Sequence, residues 1–138
     1  MLRAAQDIKA KYPERVDLRI AEGVPFNEYV RMMEGADIIL DQLYSYTPAM
    51  NALEAMSKGI VVVGGGEPEN YEIINESELR PIINVEPTYN SVFGELEKIV
   101  SAPERIEILK QQSIEYIHRH HNFIKVAEEY EKVYRALL

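Results

Sequence analysis

A single glutamate interrupts an otherwise apolar helix pattern in the stretch SYTPAMNALEAMSKGIVVVGGGEPE, residues 45–69. Glu54 stands among Ala52, Leu53, Ala55 and Met56, between two runs that read as strands. Thr47 suits a helix cap, Pro48 the first helical position and Gly59 the residue just past the end. Ala49, Ala52, Leu53 and Met56 then share one face and are expected to pack against a sheet. The free amides of residues 49 to 51 would point out of the sheet's carboxyl edge, the crevice where open α/β sheets bind ligands. Helix-terminal N–H groups and the helix dipole suit a phosphate or diphosphate there. Glu54 lies about one turn further in, off the core face, within reach of the hydroxyls of a ribose carried on that diphosphate. The strand 60–65 ends beside the same crevice, and Gly64, Gly65 and Gly66 let backbone come close to a ligand.

Each of these features also has a plain structural explanation. Lys58 follows Glu54 by four residues, and such a pair adds about 0.2–0.5 kcal/mol to a helix. A run of three glycines can be a turn, and no G-x-G-x-x-G fingerprint accompanies it. Glu67, Glu69 and Glu72 fit a solvated loop and helix start. Asp41 ends a strand without the acidic partners of a phosphoacceptor site. The run His118, Arg119, His120, His121 resembles a metal cluster, but its histidines do not share one helix face and no carboxylate is in register nearby. A helix end carrying cationic or capping side chains explains it better. No nucleophilic triad is visible, no catalytic residue is assigned, and no metal or cofactor is expected.

The elements that would hold the site alternate. Residues 2–11 read as a helix ended by Pro13, and VDLRI (16–20) as a strand. After a turn at Gly23–Pro25, a helix runs from about Asn27 to Glu34. DIILDQL (37–43) and IVVVGG (60–65) are continuous apolar runs, the pattern of strands buried on both faces. Pro48 to Lys58 is helical, ENYEII opens a short helix, and PIINV (81–85) is a fourth strand. SVFGELEKIVSA is helical, and Glu104 to Leu138 forms one broken or two consecutive helices. Alternation of this kind predicts an α/β domain: a Rossmann-like parallel sheet of about four strands flanked by helices, ending in C-terminal helices.

The 138 residues amount to one domain by size, 46% of them apolar and 28% charged. The formal charge is −8, divided equally between residues 1–70 and 71–138, so no basic face is evident. Nucleic acid and anionic membrane surfaces, which require clustered Lys and Arg, are therefore not expected partners. No run of eighteen apolar residues marks a transmembrane segment. The absence of cysteine excludes disulfides and fits a cytoplasmic location.

The segment NALEAMSKGIVVVGGGEPE resembles the donor-site segment of GT-B glycosyltransferases, especially the large family 4 of retaining enzymes. Members carry a Leu-Glu-Ala-Met run, a glycine and a Val-Val strand after an "AD-apolar" strand, here ADIILDQLYSYTP (36–48). EYVRMMEGAD resembles the helix before it, and HHNFIKVAEEYEKVYRALL resembles the family's last helices. The resemblance covers most of the chain as one half of a GT-B fold, and implies that residues 1–138 are a fragment lacking an N-terminal acceptor domain.

Carried over by position, Glu54 matches the second glutamate of the family's E-x7-E motif, which binds the donor's ribose. The first glutamate of that motif, which contacts the transferred sugar, is replaced by Tyr46. Thr47, Ala49, Met50 and Asn51 fall at the helix start whose amides meet diphosphate and sugar; Val24 and Pro25 fall near the nucleobase loop. Glu72 before Ile73–Ile74 fits the family's "E-I/V-V" step. The resemblance thus implies a hexosyltransferase-type donor domain that binds a nucleotide sugar as substrate, uses no cofactor and transfers little alone. It further implies a cytoplasmic enzyme of polysaccharide biosynthesis, peripheral to the inner membrane through the missing half. Self-association as a homodimer is expected through the stripe Val126, Tyr130, Val133, Tyr134 and Leu137, or through an open sheet edge. Two other readings stand beside this one: a nucleotide-sugar epimerase of the same fold, and a non-catalytic module binding a nucleotide or a protein.

Overall fold

The computed structural model describes residues 1–45 and 47–137. Among these, seven helices and three strands follow one another: α1 (Leu2–Lys11), α2 (Phe26–Met33), β1 (Ile38–Leu40), α3 (Met50–Ser57), β2 (Val61–Gly64), α4 (Pro68–Ile73), β3 (Ile82–Asn84), α5 (Tyr89–Ser101), α6 (Glu104–His120) and α7 (Phe123–Ala136). The strands form one sheet in the order β1-β2-β3, all parallel, with Ile39 opposite Val62 and Val63 opposite Ile83. The α/β class and the C-terminal helices are as the sequence predicts.

Alternation along β2 divides the core into two layers. Val61 and Val63 face α1 and α5, where Ala4, Ala5, Ile8, Val92, Leu96 and Ile99 are buried with Ile83 and Val85. Val62 faces the other way with Ile82, against Ala52, Met56, Tyr71 and Tyr116 from α3, α4 and α6. Because successive strand side chains point to opposite faces, a strand covered on both must be apolar throughout. All four residues of β2 are buried, as that pattern requires.

The sheet has three strands among the described residues, not four. Residues 16–20 alternate as a strand does, and Val16 and Leu18 pack against the same core cluster as Ile38 and Leu40. Their backbone, however, joins no ladder. The Val16 carbonyl accepts from the Lys9 ammonium instead, and Arg19 donates to the carbonyls of Met32 and Glu34. Alternation reports which side chains reach the core, whereas a strand needs a neighbour's N–H and C=O groups. For the same reason β1 is shorter than the run 37–43 and only half-buried: it pairs with β2 alone and forms an edge.

Helix ends follow local chemistry. Thr88 caps α5 by accepting from the Ser91 amide at 3.2 Å, and Asn122 caps α7 through the amides of Ile124 and Lys125. Gly59 closes α3 at φ +72°: its amide bonds Met56 O, and the Ile60 amide bonds Ala55 O. That paired closure needs a left-handed residue at position 59, which glycine enters without strain. α7 contributes no buried residue. Phe123 is 80% exposed and Leu137 78%, and Tyr130, Val133 and Tyr134 are also exposed, so the stripe read from the sequence lies bare. Among the described residues no helix is long and apolar enough to cross a membrane.

Candidate functional site

The carboxyl edge of the sheet brings together the end of β1, the start of α3 and the loop after β2. α3 begins two residues later than the sequence predicts. Its N-cap is Ala49, with no side-chain cap, and the first helical bond runs from the Leu53 amide to Ala49 O. Thr47 is therefore not the cap. It is exposed in the approach loop, and its carbonyl accepts the Ser45 hydroxyl at 2.9 Å. The amides at the amino end are then those of Met50, Asn51 and Ala52 rather than 49 to 51. Met50 is exposed and Ala49 half-buried. Tyr46 lies outside the described residues.

Asn51 is the hub of this edge. Tyr29, from α2, donates its hydroxyl to Asn51 Oδ1, and Asn51 Nδ2 donates to Asp41 Oδ1 at 3.5 Å. Three elements are tied here through one first-turn residue. The Tyr29 phenol is pushed above its ordinary value, first by burial and then by the nearby charges of Glu54 and Asp41, against the lowering effect of its bond to Asn51. Tyr29 therefore shares the electrostatic neighbourhood of Glu54. The sequence offered no signal for Tyr29, because the spacing of 22 residues to Asn51 has no local periodicity.

Glu54 sits off the core face, half-exposed, with Oε1 3.4 Å from Lys58 Nζ. The helix pair with Lys58 exists, and the carboxylate remains partly open to solvent. Val24 and Pro25 lie at the start of α2, where Pro25 O accepts from the amides of Glu28 and Tyr29.

The glycine run behaves differently from expectation. Gly64, Gly65 and Gly66 are all buried. A Cβ on Gly64 would come within 3.3 Å of both Asp41 Cβ and Gln42 O, and one on Gly66 within 2.9 Å of Ile82 Cγ2. On Gly65 it would collide with the Ser45 carbonyl oxygen. The glycines thus admit the protein's own β1–α3 loop and β3 against the end of β2. The Gly66 amide is satisfied by Asn84 Oδ1 at 3.0 Å. Next in sequence, one carboxylate oxygen of Glu67 is buried without a hydrogen-bond partner.

The histidine-rich end of α6 lies against the segment that follows α4. No group of three metal-ligating side chains occurs among the described residues. It instead surrounds a carboxylate from a distant segment. Glu76 Oε2 lies 2.7 Å from His120 Nε2 and 3.2 Å from Arg119 Nη1, while Oε1 accepts from the amides of Glu78 and Leu79. The bond to His120 foremost, with the Leu79 and Glu78 amides and the Arg119 charge, overcomes burial and lowers the Glu76 carboxyl to about 2. Arg119 also pairs with Glu78 and Glu115. Burial pushes the His121 imidazole down, helped by neighbouring His120. The sequence could not supply Glu76 as a partner 44 residues away. One groove opens beside this cluster, between the end of α6 and the unpacked α7, and another where the end of α2 meets α6. Neither is lined by crevice residues.

The fold is a small parallel α/β sheet covered by helices on both faces, with Asp41, Asn51, Glu54 and Glu67 near its carboxyl edge. No protein family, curated protein or solved structure matches the chain.

Proposed function

We propose that the chain is the nucleotide-sugar-binding domain of a glycosyltransferase, one half of a GT-B enzyme whose acceptor-binding half lies outside these residues. The observation that carries the reading is the arrangement at the carboxyl edge. The amino end of α3 opens there beside the loop after β2, and the Glu54 carboxylate stands one turn further along, half-exposed. The free amides of Met50, Asn51 and Ala52 suit a diphosphate, and Glu54 suits a pair of ribose hydroxyls.

The chemistry follows from what leaves. When a nucleoside diphosphate departs from an anomeric carbon, negative charge grows on phosphate while the sugar gains oxocarbenium character. Donors fixed at the phosphate lower that barrier by holding the transition state more tightly than the ground state. Lys58 is already paired with Glu54, and Asp41, Glu54 and Glu67 add negative charge at this edge. The α3 amino end is thus the main favourable charge for the diphosphate, and binding by this chain alone is weak. Transfer requires further cationic groups and the acceptor half, in a cytoplasmic enzyme acting on a glycan or lipid-linked acceptor.

The test is a titration with UDP, GDP and ADP followed by amide NMR. Expected are shifts clustered at residues 47–54 and 64–67, with affinity falling about tenfold in Glu54→Ala, the loss of hydrogen bonds to a charged group. The absence of shifts with all three nucleotides would overturn the proposal. A second reading, a non-catalytic module that binds a protein, draws on the bare apolar stripe of α7. Retained nucleotide binding after charges are placed on that stripe separates the two.

A further inference from the structure

α7 follows α6 after a break at His121 and Asn122, and none of its residues is buried. Phe123, Val126, Tyr130, Val133 and Leu137 succeed one another at intervals of three, four, three and four residues. All five are exposed. Such alternation lines one narrow stripe along a helix, the spacing by which two helices pack knobs into holes. A helix that covers a sheet carries a wider apolar face. The groove beside the end of α6 runs along Val126, Tyr130 and Val133, so the middle of the stripe is open to a partner.

The stripe is complementary to itself when a second α7 runs in the opposite direction. With a two-fold axis between Glu131 and Lys132, Val126 meets the partner's Leu137, and Tyr130 meets the partner's Val133. Each layer sets a larger side chain against a smaller one, and Ala127 beside the seam leaves room for the partner's Tyr134. A parallel pair would instead set Tyr130 against the partner's Tyr130 and align the two helix dipoles. The charges favour the same occupant. α7 carries Lys125, Lys132 and Arg135 against Glu128, Glu129 and Glu131, so it is neutral within a chain of −8. Lys132 pairs with Glu129 and Arg135 with Glu131 inside the helix. Two copies therefore meet here without the repulsion that an acidic surface imposes elsewhere, and a strongly charged partner would gain nothing from this face.

We propose that α7 is a dimerisation helix, pairing antiparallel with α7 of a second copy through Val126, Tyr130, Val133 and Leu137. The seam is about two heptads long and smaller than a standard interface of about 800 Å² per partner, so the dimer is weak, with a Kd on the order of 100 μM. It lies apart from the α3 edge and does not depend on the nucleotide-sugar reading.

The experiment combines sedimentation velocity with cysteine cross-linking, which the absence of native cysteine makes unambiguous. Between about 10 and 500 μM the protein is expected to pass from monomer to dimer, while Tyr130→Glu with Val133→Glu stays monomeric. Val126→Cys and Leu137→Cys variants are then oxidised separately and as a mixture. In the antiparallel pair, identical positions lie roughly 16 Å apart along the axis, beyond the ~7 Å that a disulfide spans between Cα atoms, whereas 126 and 137 face each other. The mixture is expected to give at least about tenfold more cross-linked dimer than either variant alone. A monomer across the whole concentration range overturns the inference. So does a dimer that survives Tyr130→Glu with Val133→Glu, which would place the contact on another surface. Single variants that cross-link as readily as the mixture also overturn it, because the helices would then be parallel or meet only by collision.

Discussion

Replacing Glu76 should be among the most damaging single changes in this protein, although it lies far from the crevice. Its side chain is 2% exposed and takes two backbone amides, Arg119 and His120 at once. The carboxyl is lowered from 4.5 to about 2. A tenfold change in an acid dissociation constant corresponds to about 1.4 kcal/mol, so the charged form contributes on the order of 3 kcal/mol at neutral pH. Glu76→Ala also leaves the Glu78 and Leu79 amides without their acceptor and Arg119 without one partner, which places the loss at about 3–5 kcal/mol. Glu76→Gln keeps an acceptor for the amides and loses only the charge, so it should cost less.

The sign is set by the direction in which the fold moves this carboxyl. A lowered carboxylate stabilises above its unfolded value, and this contribution is lost as pH falls through 4.5 toward 2. Between pH 7 and pH 3 the gap between the wild-type chain and Glu76→Gln should narrow by about 2 kcal/mol. Urea unfolding at both pH values, followed by far-UV circular dichroism, measures it. A gap that stays constant across that range, or a loss below about 1 kcal/mol for Glu76→Ala at pH 7, would refute the argument.

Other outcomes follow from the same geometry. Glu54→Ala should leave stability within about 0.5 kcal/mol in urea unfolding, since the half-exposed pair with Lys58 contributes little, so any lost nucleotide affinity reflects the site itself. Gly65→Ala should be strongly destabilising, by about 3 kcal/mol or more, because its methyl meets backbone that must move; a melting temperature near wild type would show the β1–α3 loop to be free to yield. Gly59→Ala should cost about 1–2 kcal/mol for a left-handed alanine at φ +72°, measured by thermal melting. Charges on the bare stripe, as in Tyr130→Glu with Val133→Glu, should change stability by no more than about 0.5 kcal/mol per site in urea unfolding, since both side chains are largely exposed and Tyr130 stacks only on Tyr134 of the same helix.

Short-range patterns were enough to specify the helices and the parallel strands. The Val-rich run at 61–63 had to be covered on both faces, and Gly59 had to end the helix before it. Segment 16–20 shows the limit of such patterns: its alternation marked Val16 and Leu18 as core, yet hydrogen-bond partners decide whether a strand exists, and those lie elsewhere in the chain. The start of α3 slipped from Thr47 to Ala49 for a similar reason, since capping preference is weaker than the contacts that place the β1–α3 loop. In the crevice, Glu54 was legible from its place in the helix. Tyr29 and the buried oxygen of Glu67 were not, because burial and long-range pairing leave no spacing to read. The carboxylate behind the histidine run was equally hidden, 44 residues away. Local propensity settled which elements form, whereas packing between distant segments set which polar groups are satisfied and which still await a partner.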